Sequence, residues 1–107
     1  YNMVRIMLAC AAGMSTSLLV TKMQEAAKEA GVEAEIWAIP EADIAKHVGE
    51  FDVCLLGPQV RFKLKAVQQL ANGAWPVDVI EMTAYGTMNG KKVFEFALDT
   101  INKFNNK

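Results

Sequence analysis

The run Met3-Val4-Arg5-Ile6-Met7-Leu8-Ala9 passes directly into Cys10-Ala11-Ala12-Gly13-Met14-Ser15-Thr16-Ser17, and a helical pattern begins immediately behind it, near Leu18. Residues 4 to 10 are short, apolar and rich in β-branched and long side chains, with Arg5 as the single charge. A segment apolar on both faces reads as a strand buried in a parallel sheet. The small residues and the glycine that follow turn the chain into a helix. A loop in that position points successive backbone N–H groups and the positive end of the helix dipole at one spot, which favours an anion. The same field favours a thiolate at Cys10. Nucleophile and anion cradle therefore coincide, and the rest of the chain reads as their scaffold.

From Ser17 to Ala30 the apolar positions Leu19, Met23, Ala26 and Ala30 recur at helical spacing, with Lys22, Glu25, Lys28 and Glu29 off that stripe and Gly31 as the stop. Val32 to Ile39 alternates apolar and acidic residues at first, as an edge strand with one wetter side does, and Pro40 ends it. Residues 41 to 48 suit a short helix through Ile44, Ala45 and Val48, closed by Gly49. Phe51 to Leu56 is a second continuous apolar strand, stopped at Gly57-Pro58. Val60, Leu64, Val67 and Ala71 mark a helix that ends at Asn72-Gly73. Pro76 to Ile80 forms the last strand, Glu81 to Gly90 a polar loop, and residues from Lys91 to Phe104 a final helix burying Phe94, Ala97, Leu98 and Ile101. The tail Asn105-Asn106-Lys107 is expected to fray.

Strands and helices thus alternate with short connections, which predicts an α/β fold: a four-stranded parallel sheet in the order 2-1-3-4 with helices on both faces. Ligands of such sheets bind beyond the carboxyl ends of the strands where the order reverses, here between the first and third strands. Cys10 sits at that point, with the loops Gly57-Pro58-Gln59-Val60-Arg61 and the segment around Tyr85 as neighbours.

With 107 residues and 52% apolar content, residues 1–107 make one domain with one core. A net charge of -1 without a basic cluster argues against a nucleic-acid surface or an electrostatic membrane anchor. No apolar run approaches the roughly 20 residues of a membrane span, and no secretion segment opens the chain. The expectation is a soluble, cytoplasmic protein. Tyr1, where an initiator Met would stand, suggests a trimmed or engineered start and takes no part in the functional reading. The two cysteines, with no Cys-x-x-Cys and the lone histidine His47, suit reduced thiols and supply neither a redox motif nor a zinc site. No metal or cofactor is expected.

A phosphoryl group on Cys10 would be received by the backbone of Ala11, Ala12, Gly13 and Met14 and by Ser15, Thr16 and Ser17 with their hydroxyls. The three hydroxyl residues can cap the helix at the same time. Thiolate attack on a phosphoryl donor needs positioning and charge stabilisation, both offered here. Cysteine-dependent tyrosine phosphatases place an arginine six residues after the nucleophile; this chain has Thr16 there, and no obvious Asp general acid. The loop is therefore read as accepting and passing on a phosphoryl group, with hydrolysis poorly supported.

Cys54, mid-strand, reads as an inert core thiol with a pKa above that of Cys10. Gln59, at an exposed loop position, and Tyr85 are candidate accessory residues, each balanced against a bland role in solubility or packing. His47 suits the negative end of a short helix better than catalysis. Arg61, Lys63 and Lys65 read as a solvated face. Met14 and Leu18, apolar beside an exposed nucleophile, suit a transient protein interface better than a small-substrate pocket; Met23 belongs to the core.

Taken together, Cys10 through Leu19, Leu55-Leu56-Gly57-Pro58-Gln59, and Tyr85-Gly86 with Asn89-Gly90 resemble the enzyme IIB components of the lactose/cellobiose (chitobiose) type in the bacterial sugar phosphotransferase system. The resemblance spans nearly the whole chain. It implies a phosphotransferase in which Cys10 takes phosphate from a phosphohistidine of a IIA protein and passes it to a sugar, such as cellobiose, chitobiose or lactose, held by the membrane-embedded IIC component. It places the protein at the inner face of the membrane only through IIC. Two rivals share the flavodoxin-like, low-molecular-weight-phosphatase-like fold: a low-molecular-weight cysteine phosphatase, and a binding module in which Cys10 is dispensable.

Overall fold

The computed structural model describes residues 3–11 and 16–106, and its order of elements is the alternation read from the sequence. Strands β1 (Val4–Cys10), β2 (Ala34–Pro40), β3 (Val53–Leu56) and β4 (Val77–Val79) form one sheet in the order β2-β1-β3-β4, all neighbours parallel. This is the open, flavodoxin-like order, with the reversal between β1 and β3. Central position explains the two uninterrupted apolar strands: Ile6 through Ala9 and Val53 through Leu56 are fully buried. β2 is an edge, and only Ile36 within it is buried.

Alternate side chains of the central strands enter two cores. Ile6, Leu8, Val53 and Leu55 pack under Leu19, Met23 and Ala27 of helix α1 (Thr16–Glu29) and under Val93, Phe94 and Ala97 of helix α4 (Gly90–Asn105). Met7, Ala9, Cys54 and Leu56 pack on the other face against Ile44, Val60, and Val67 and Ala71 of helix α2 (Leu64–Ala71), with Phe51 and Trp75 edge to face at 4.8 Å. Helices cover both faces.

Several boundaries depart from the expectation. In α1 the buried stripe runs through Thr16, Leu19, Met23 and Ala27; Ala26 is only partly covered and Ala30 is exposed beyond the helix end. The segment Glu41–His47 is a 3-10 helix in which Ile44 is buried while Ala45 and Val48 face solvent. Helix α2 is preceded by a 3-10 turn, Pro58–Lys63, so the run from Val60 is two elements. The stretch after β4 holds helix α3 (Met82–Gly86), where the sequence suggested a loop. Glu81 starts it, its Oε2 accepting from the Thr83 N–H at 2.6 Å. Asn89 caps α4 through Oδ1, which accepts from the Lys92 N–H at 3.1 Å. In α4, Leu98 and Ile101 are half-buried, Val93 joins the core, and Asn105 still belongs to the helix.

Arg5 is explained by β1's outer end. Its Nη2 lies 3.1 Å from Asp52 Oδ1, its N–H donates to Asp52 Oδ2 at 2.8 Å, and its carbonyl accepts from the Asp52 N–H. The pair ties β1 to the entry of β3, at the pole opposite Cys10.

Candidate active site

Cys10 is the last residue of β1, at the carboxyl edge of the sheet beside the exit of β3. The two exits are fastened together, the Gly57 N–H donating to the Ala9 carbonyl at 2.9 Å. By strand alternation Cys10 continues the line of Ile6 and Leu8 toward the α1 side, and Cys54 lies in the cluster on the opposite face. The sheet separates the two thiols.

Of the residues expected to form the cradle, Ala12, Gly13, Met14 and Ser15 lie outside the described residues. Ala11 is half-buried, Thr16 is buried at the first position of α1, and Ser17 is exposed. Helix α1 therefore begins six residues after Cys10 and directs its N-terminal end to the same edge of the sheet.

The sequence suggested an exposed thiol; the structure encloses it, with Cys10 only 1% exposed. The cause is the turn after β3. A Cβ built on Gly57 would stand 2.8 Å from Cys10 Sγ and 2.6 Å from Gln59 Oε1, so the absence of a side chain lets the thiol and the amide approach one point. Glycine is needed here for space, since its φ of -63° suits any residue.

Gln59 also departs from its expected exposed loop position. It lies half-buried in the 3-10 turn, and its Nε2 donates to Tyr85 Oη at 3.1 Å. Its Oε1 is buried without a hydrogen-bond partner among the described residues. An unpaired buried acceptor costs about 1–3 kcal/mol, so a solubility role does not account for this side chain. Tyr85 arrives on α3, and Glu81 at the start of that helix also pairs with Lys92 at 3.4 Å. The Thr83 N–H, before the Lys92 ammonium, holds the Glu81 carboxyl below the usual carboxylate range.

Gln59 and Tyr85 line a cleft of about 460 Å³ together with Pro58, Arg61, Phe62 and Met82. Phe62 is 73% exposed and Met82 59%, while Leu18 in the first turn of α1 is 50% exposed. Of the apolar pair expected beside the nucleophile, Met14 lies outside the described residues and Leu18 is exposed; Phe62 and Met82, which the sequence did not single out, share the cleft with Gln59 and Tyr85. Phe62 lies within the 3-10 turn after β3 and Met82 opens α3 after β4, so the two meet only through the fold. Lys63 lies over the Phe62 ring at 5.8 Å, and Arg61 and Lys65 are exposed nearby in the chain.

Cys54 is fully buried, and burial, followed by charge at Cys10, pushes its thiol up to about 12. His47 is away from this edge, its Nδ1 2.9 Å from Glu50 Oε1. Among the described residues no three His, Cys, Asp or Glu side chains gather as metal ligands, and no helix is long and apolar enough to cross a membrane.

Residues 5–96 match the model of a family described as "PTS system, Lactose/Cellobiose specific IIB subunit". The chain is 47% identical over 100 residues to the oligo-beta-mannoside-specific EIIB component of Bacillus subtilis (strain 168), covering 92% of this chain and 97% of the relative. It is 50% identical over 103 residues to the galactose-specific EIIB component of Lactococcus lactis subsp. cremoris (strain MG1363), covering 91% and 95%. The solution structure of a cellobiose-specific phosphotransferase IIB component from Borrelia burgdorferi superposes with a TM-score of 0.79 at 40% identity, over 95% of this chain and 94% of that one.

Proposed function

This chain belongs to the lactose/cellobiose-specific IIB subunits of the PTS system and is a phosphotransferase component, and from that premise we propose that Cys10 is the atom on which the phosphoryl group rides. The thiolate of Cys10 attacks the phosphorus of a phosphohistidine on a IIA protein. The S–P bond forms as the N–P bond breaks, and the electron pair returns to the imidazole nitrogen. A hydroxyl of a sugar held by IIC then attacks the same phosphorus and releases its proton to solvent, an O–P bond replaces S–P, and the electron pair of the broken bond regenerates the thiolate. Backbone N–H groups from Ala11 to Met14, with Ser15, Thr16 and Ser17 and the N-terminal end of α1, hold the phosphoryl oxygens through both steps.

The observation that carries this reading is the seat of Cys10 at the reversal point of the sheet, at the edge where α1 begins. Thr16 stands where a phosphatase arginine would grip the phosphoryl oxygens, so the site suits transfer between partners over release to water. The exposed Leu18, Phe62 and Met82 supply an apolar rim for a transient partner, and Arg61 and Lys65 supply charge beside it. The protein works at the inner face of the membrane by docking on IIC. A β-linked disaccharide is the proposed class of sugar; relatives named for different sugars are 47% and 50% identical to this chain, as expected if IIC sets the choice.

Incubation with phosphorylated IIA tests the assignment. The unmodified chain and Cys54→Ser should each take up a single phosphoryl group, and Cys10→Ser should stay at background. Stable labelling of Cys10→Ser, or loss of labelling in a folded Cys54→Ser protein, overturns it.

A further inference from the structure

We propose that the Gln59 amide and the Tyr85 hydroxyl form a reversible hydrogen-bond pair that turns over when Cys10 is phosphorylated, making Gln59 a direct ligand of the phosphoryl group. The inference rests on the reading of Cys10 as the phosphoryl carrier and goes beyond the backbone cradle.

The geometry is specific. Gln59 Nε2 is spent on Tyr85 Oη at 3.1 Å, while Oε1 is buried with no partner among the described residues. That oxygen is turned toward the spot it shares with Cys10 Sγ, since one point above Gly57 lies within 2.8 Å of both atoms. A carbonyl oxygen so placed tolerates a protonated thiol, which is a weak donor. It opposes a phosphoryl group, whose oxygens are acceptors with negative charge. A half-turn of the amide resolves the conflict without moving the backbone. The NH2 group then faces the phosphoryl oxygens, and Oε1 accepts from the Tyr85 O–H. Tyr85 can serve both states because a phenol hydroxyl donates as well as accepts. The orphaned acceptor of the free form is satisfied in the phosphorylated form, so the pair favours holding the group until a partner takes it.

Side-chain amide NMR of the wild-type chain tests this directly. Before and after phosphorylation by phospho-IIA, the Gln59 NH2 resonances, assigned with Gln59→Ala, should move downfield on phosphorylation, and the Tyr85 hydroxyl proton should become protected from exchange. In parallel, Gln59→Glu, which can only accept at this position, should shift the phosphotransfer equilibrium back toward IIA by about tenfold or more. Tyr85→Phe should accept phosphate but lose the reversed amide signature. Unmoved Gln59 amide resonances in a chain that is demonstrably phosphorylated at Cys10 overturn the proposal, as does a folded Gln59→Glu protein with an unchanged equilibrium. Failure of the wild-type chain to take up phosphate at all would instead overturn the reading of Cys10 on which it rests.

Discussion

Cys54 occupies mid-strand in β3, fully enclosed, and its thiol is pushed up to about 12 by burial first and by charge at Cys10 second. An unfolded thiol ionises near about 8.5. Between those values the folded chain holds a proton that the unfolded chain has released, so this contribution to stability is complete below the unfolded value. It falls as pH rises, by up to about 1.4 kcal/mol per pH unit. Denaturant unfolding of the wild type and Cys54→Val at pH 7, 9 and 10 checks the sign: the wild type should lose stability relative to the variant as pH rises, and parallel curves would contradict the account. The seat of Cys10 at the end of an apolar strand was legible in the sequence, whereas Gln59, expected at an exposed loop position, is half-buried. The burial of Cys10 was not, because it follows from the approach of Gly57 to Sγ across two strands. The Gln59–Tyr85 bond was hidden for the same reason, its partners being far apart in sequence.

The elements were legible where burial is two-sided or periodic. β1 and β3 announced themselves as unbroken apolar runs, and α1 by its stripe, although the true stripe passes through Ala27. α3 left little signal, since the five residues Met82–Gly86 are too few to show a period, and the contact of Glu81 with the Thr83 N–H that opens it is seen only in the fold. The 3-10 turn Pro58–Lys63 merged in sequence with α2 because Val60, Val67 and Ala71 share one buried face. The join of α1 to α4 depends on Gly90, where a Cβ would stand 2.3 Å from the backbone carbon of Lys22. Gly90→Ala should therefore force the helices apart and destabilise the chain by about 1–3 kcal/mol. Equilibrium unfolding measures this, and a change within error would show that the crossing has slack.

At the scale of the whole molecule the sheet divides the labour between its ends. The pole at Arg5 and Asp52 locks two central strands together, while the opposite pole collects Cys10, the start of α1 and the Gln59–Tyr85 pair, with Phe62 and Met82 lining the cleft beside that pair. An enclosed thiol at that edge, only 1% exposed, suits the proposed transfer of a charged group between proteins. The sheet order could be read from alternating strands and helices, and with it the reversal point at which Cys10 sits. The cleft lined by Phe62 and Met82 could not be read, because its residues meet only through the fold. The relay is tested most directly by a chase. The chain, labelled with radioactive phosphate by phospho-IIA and freed of it, is mixed with membranes containing IIC and a β-linked disaccharide. The account predicts that label leaves Cys10 as sugar phosphate, with little inorganic phosphate and no loss when sugar is omitted. Release of the label as inorganic phosphate at the same rate with and without IIC and sugar would contradict it.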